Sequence, residues 1–187
     1  VSSTSDPFYR RLLRNCEATQ QDGADISGLE TATSTMGCSS ASSARGTTTP
    51  EQFGPFNWNP IVFGGGVPVG GWAQLTLFRN GAVNFTGHFH DSGAPSYDVA
   101  CVFAVRGSDG TVYTFSRSGR CHGTFEAGSR NFDWGDNPTG TAVAAGWNNL
   151  MNGLSLHASA SANGDIGSLL DSTVKAVGKA AAVIAVI

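Results

Sequence analysis

Charged side chains are scarce, at 13% of the 187 residues, and 11 Lys and Arg stand against 14 Asp and Glu. A net charge of −3 offers no electrostatic handle to a polyanion or an anionic membrane surface, so nucleic-acid binding is not expected. The most apolar stretch, from Ala180 onward, follows Lys175 and Lys179 and falls far short of the roughly 20 residues that cross a bilayer, so a membrane-spanning helix is not expected. No C-x-x-C pair and no G-x-S-x-G elbow occurs. The glycine run Gly64-Gly65-Gly66 leads into Val67-Pro68-Val69 rather than into a helix with a Lys-Ser/Thr pair, which excludes a nucleotide-binding loop.

What is abundant is glycine, 25 residues of it, together with Ser, Thr and Asn. That composition makes turns and short strands, and it predicts a mainly β fold: an antiparallel β-sandwich or barrel with an N-terminal helix and arm and one or two C-terminal helices. Asp6-Pro7 reads as a helix start, with Phe8, Leu12, Leu13 and Cys16 on one face. The residues from Thr19 to Gln52 carry neither hydrophobic period and read as a Ser/Thr-rich arm, which makes residues 1–52 one unit. An antiparallel β-domain is expected over 53–160, with an inserted helix at about 138–152, followed by an apolar helix over 161–187.

Within the β-domain, Trp72 to His90 reads as a hairpin about Arg79-Asn80-Gly81, with a type I′ turn at Asn-Gly. Its second strand puts Val83, Phe85 and Phe89 on the core face and Asn84, Thr86, His88 and His90 on the polar face. A second hairpin turns at Gly107-Ser108-Asp109-Gly110, and a further strand from Arg120 to Glu126 follows a turn at Ser118-Gly119, giving a meander of about five strands.

His88 and His90 alternate on one strand face about 7 Å apart, near enough to share a metal if their side chains converge. His122 on a later strand, with Glu126 as base or supporting ligand, completes a zinc site if the strands are neighbours. No other cofactor is expected. His88-Phe89-His90 resembles the metal-binding strand of α-type carbonic anhydrases over those three residues alone, and cupins place a Glu where this chain has Ala94 and Pro95. The bland alternative is a pair of half-exposed histidines hydrogen-bonded to neighbouring polar groups. Asp133, Trp134 and Asp136 form the kind of set that stacks on and hydrogen-bonds a sugar, although a Trp before a helix is more often buried. Asn84-Phe85-Thr86 is an N-glycosylation sequon, meaningful only in a eukaryote.

Four cysteines, Cys16, Cys38, Cys101 and Cys121, suit two disulfides and hence an oxidising compartment. The favoured pairing is 16–38 with 101–121, although in a plain meander the second pair stands roughly 9.5 Å apart, too far for a bridge. With no initiator Met at Val1, the chain is expected to be the mature part of an extracellular or periplasmic protein.

The strings Gly87-His88-Phe89-His90-Asp91-Ser92-Gly93, His122-Gly123-Thr124-Phe125-Glu126 and Ser129-Arg130-Asn131-Phe132-Asp133-Trp134 are similar to an uncharacterised bacterial exported domain family. The resemblance covers about residues 70 to 187 and implies export without implying an activity. Three functions are therefore carried forward. The first is a non-enzymatic structural or surface-binding protein, self-assembling as a homo-oligomer or with other subunits through its arm and apolar terminus; the others are a metal-dependent hydrolase or lyase and a lectin-like glycan binder.

Overall fold

The structure, a computed structural model, describes residues 16–19, 32–38 and 51–187. The strands there are β1 (Cys16–Thr19), β2 (Ala32–Cys38), β3 (Gln52–Val62), β4 (Val69–Phe78), β5 (Val83–Asp91), β6 (Tyr97–Arg106), β7 (Thr111–Cys121), β8 (Asn131–Asp136), β9 (Ser155–Ala162) and β10 (Ala182–Ala185). Three helices join them: α1 (Thr141–Ala145) and α2 (Trp147–Asn152) between β8 and β9, and α3 (Ile166–Val177) between β9 and β10. A six-stranded sheet runs β1-β2-β9-β6-β7-β10 and a four-stranded sheet runs β3-β4-β5-β8. Every pairing is antiparallel except that of β10 with β7. The sheets pack face to face as a sandwich and do not close into a barrel.

Alternation along each strand builds the core between them. The four-stranded sheet supplies mostly aromatics, including Phe56 and Trp58 from β3 and Phe85 and Phe89 from β5, all nearly or fully buried. The six-stranded sheet answers with smaller groups, Ala158, Ala160 and Ala162 from β9, and with Phe103 and Phe115. Large against small lets the layers interdigitate, and where large groups meet, Phe103 stands edge-on to Trp58 and Phe85 at centroid distances of 6.5 and 5.6 Å. Burying one such Phe contributes about 1.5–3 kcal/mol. The outer face of the six-stranded sheet is covered by α3, whose Leu169 packs on Ala100 and Val102 and whose Val177 packs on Ala104 and Val112. Asp165 starts that helix by accepting a hydrogen bond from the Ser168 N–H at 2.7 Å.

Glycine shapes the sandwich at two close approaches. Trp134 and Phe132 of β8 point inward, and a Cβ on Gly87 of β5 would lie 2.0 Å from the Trp134 ring. Likewise a Cβ on Gly119 of β7 would lie 2.3 Å from Phe132. The aromatics of β8 thus seat in two slots, one in its own sheet and one in the sheet opposite, and Arg117 of β7 fastens the same edge with two bonds to Asp136, 2.6 and 2.7 Å.

Several expectations need correction. The turn after β4 is a three-residue loop, with Gly81 N–H donating to the Phe78 carbonyl and Gly81 at φ 87°, because Asn80 does not take the positive φ of a type I′ turn. Ser118-Gly119 is no turn: β7 runs unbroken to Cys121, residues 122–130 form a loop, and the strands divide between two sheets rather than forming one meander. The helix expected at about 138–152 is two short helices meeting at Gly146. The apolar terminus is not helical to the end: α3 stops at Val177, and Ala182–Ala185 form β10 alongside β7. Within the arm, β1 and β2 add to the six-stranded sheet, and Cys16 is a strand residue rather than a helix-face residue. The helix expected from Asp6 lies outside the described residues.

Candidate functional site

The outer face of the four-stranded sheet is uncovered by any described helix and carries a band of polar and aromatic side chains. Its position follows from strand parity: where Ala73, Leu75, Phe85 and Phe89 point into the core, Trp72, Gln74, Thr86 and His88 must point out. Register then sets the rows. One row runs Asn57–Gln74–Thr86–Gly135 across β3, β4, β5 and β8, and the next runs Trp72–His88–Asp133. A third places Val62, Gly70, His90 and Asn131 side by side.

Adjacent polar groups on this face are already paired, which fixes their orientation. Gln74 Nε2 donates to Asn57 Oδ1 at 2.5 Å. His88 Nδ1 lies 2.7 Å from Asp133 Oδ1, and His90 Nδ1 lies 2.6 Å from Asn131 Oδ1. Both oxygens are acceptors, so each imidazole donates from Nδ1 in its pair. The two rings are parallel within 8°, with centroids 6.5 Å apart. Beside them Trp72 is 39% exposed and Val62 is 47% exposed, two large apolar groups left in solvent on an otherwise polar surface. Gly135 leaves the end of the first row open, with no atom within 4 Å of where a Cβ would be.

The residues singled out from sequence are distributed over three places. His88, His90 and Asp133 belong to this face. His122 does not join them: it lies in the loop after β7, against Gly128, with Nδ1 3.4 Å from Glu126 Oε1. Glu126 is bound by Ser96 and Arg120, and these hydrogen bonds, that from Ser96 first, hold its carboxyl below the usual carboxylate range. Among the described residues no three His, Cys, Asp or Glu are placed to hold one metal ion. Trp134 is 9% exposed and belongs to the core, and Asp136 is spent on Arg117, so the expected sugar-binding trio is split with Asp133 alone on the open face. Asn84 Nδ2 donates to Asn137 Oδ1 at 2.8 Å, at the end of the same face.

The thiols of Cys101 and Cys121 are in no disulfide and are buried, and that of Cys121 donates to the Phe89 carbonyl at 3.8 Å. Cys101 stands opposite Arg117 and Cys121 opposite Tyr97 on the paired strands β6 and β7, four residues out of step, so the expected 101–121 bridge does not form. Burial pushes both thiols up, that of Cys121 to about 11, which leaves them poor nucleophiles.

Trp72, Gln74 and Asn57 were not singled out from sequence. The signal was present in Trp72-Ala73-Gln74-Leu75-Thr76, where alternation puts the Trp on the polar side. No protein-family model matches the chain, and no curated protein matches it.

Proposed function

We propose that the protein is a non-enzymatic surface-binding module that takes carbohydrate on the outer face of its four-stranded sheet. The observation that carries the reading is the exposed indole of Trp72, flanked in register by the paired polar groups of His88–Asp133 and Gln74–Asn57. A pyranose ring has apolar C–H faces and an equatorial rim of hydroxyls. An indole offers a flat apolar surface to the first, and donors and acceptors beside it serve the second. An open sheet face suits a chain of sugars lying along it. Pre-paired side chains lower the entropy lost when a ligand orders them.

The rival reading, a metal-dependent hydrolase, needs His122 beside His88 and His90 of β5, whereas His122 lies in the loop after β7 and pairs with Glu126. The apolar terminus, expected to be a helix, is instead β10 at the edge of the six-stranded sheet, paired with β7 on one side.

Binding of the full chain to a panel of neutral and acidic oligosaccharides tests the proposal. A ligand is expected whose affinity falls about 5- to 30-fold in Trp72→Ala, the equivalent of about 1–2 kcal/mol. No binding across the panel, or binding that Trp72→Ala leaves intact, would refute it.

A further inference from the structure

We infer that Cys16 and Cys38 form a cross-strand disulfide that staples the edge of the six-stranded sheet. The two are direct partners in the antiparallel register of β1 and β2. Residues opposite one another in such a pair lie on one face with Cα atoms about 4.5 or 5.5 Å apart, and both distances fall in the range of about 4.4–6.8 Å that a disulfide spans. The remaining cysteines give the contrast, since the four-residue offset between Cys101 and Cys121 separates them by roughly 13 Å along the strands at about 3.3 Å per residue.

The placement also gives the bond a purpose. β1 is a four-residue strand whose one neighbour among the described residues is β2, and four residues of pairing hold a sheet edge weakly. Cys38 in turn stands opposite Leu156 of β9, so a bond between Cys16 and Cys38 ties the edge to a row that runs into the centre of the sheet. Closing the chain between Cys16 and Cys38 also removes conformational freedom from the unfolded state. The chemistry is an oxidation of two thiols. One sulfur–sulfur bond forms, two protons leave, and two electrons pass to a disulfide oxidant such as oxidised glutathione or a thiol oxidoreductase, which is reduced to thiols.

The purified full chain, equilibrated with oxidised and reduced glutathione, is denatured in guanidinium with iodoacetamide, and its mass is measured before and after reduction. Two alkylations before reduction and four after, with a non-reduced peptide joining Cys16 to Cys38, is the expected result. Four alkylations without reduction, or a linked peptide containing Cys101 or Cys121, overturns the inference. In Cys38→Ser, Cys16 is expected to alkylate without reduction; continued protection of Cys16 would equally overturn it.

Discussion

Adding one methyl group at Gly87 tests whether β8 is held by aromatic side chains seated on glycines. In Gly87→Ala the new Cβ would lie 2.0 Å from Cζ2, 2.2 Å from Cη2 and 2.6 Å from Cε2 of Trp134, against ordinary contact at 3.4 Å and beyond. The ring must therefore retreat by more than an ångström. It has nowhere to go, because Phe85, Phe89 and Phe132 surround it at centroid distances of 5.6, 5.7 and 5.5 Å. Overpacking of this kind costs about 1–3 kcal/mol, and each disturbed aromatic pair adds about 0.5–1.5 kcal/mol. A loss of about 2–4 kcal/mol is expected, or a Tm lower by about 5–12 °C for a domain of this size. Thermal unfolding followed by near-ultraviolet circular dichroism measures both the Tm and the Trp environment. Shrinking the ring should relieve the clash, so Gly87→Ala with Trp134→Leu is expected to be more stable than the sum of the two single changes predicts. A Tm within about 2 °C of the parent in Gly87→Ala, with an unchanged spectrum, would refute the packing argument.

Three further outcomes follow from other parts of the molecule. Replacing Arg117 by Ala removes both bonds to Asp136 across the sandwich edge, and urea unfolding is expected to show a loss of about 1–2 kcal/mol that is mostly absent when Asp136 is already Asn. Burial holds the His157 imidazole below its ordinary pKa, so the unfolded chain binds that proton more readily. Its contribution to stability is therefore complete above about pH 6.5 and is lost as the pH falls below that value, a slope that His157→Gln should flatten in a pH series of Tm. Asp165, held below the usual carboxylate range chiefly by its bond to the Ser168 N–H, stabilises α3 above its unfolded pKa and loses that effect as acid protonates it; Asp165→Ala should lower the Tm at pH 7 and converge with the parent in acid.

The two-layer β fold was legible in the sequence because alternation is a local signal: Phe85 and Phe89 inward, His88 and His90 outward, all as the register has them. What was not legible depended on contacts distant in sequence. Gly119 read as a turn residue, yet it sits inside β7 to make room for Phe132, a residue of another strand. The apolar run after Ala180 has no length or period that separates a helix end from a strand, and its partner β7 decides the matter. Of the residues on the proposed face, His88 and His90 were singled out from sequence as metal ligands and Asp133 as a sugar contact, while Trp134 was chosen over Trp72. Asn131, Asp133 and Gly135 alternate with Phe132 and Trp134, so reading that segment as a strand instead of a loop would have turned Trp134 inward.

The most direct test of the binding face is a titration of the four tryptophan indole N–H signals by solution NMR as an oligosaccharide is added to the labelled protein. Trp58, Trp134 and Trp147 are buried, whereas Trp72 stands open on the outer face. The account predicts that the Trp72 indole signal moves with saturation while the other three stay in place. A ligand that binds while leaving Trp72 unmoved, or that shifts the Trp147 signal at the helical end instead, would contradict it.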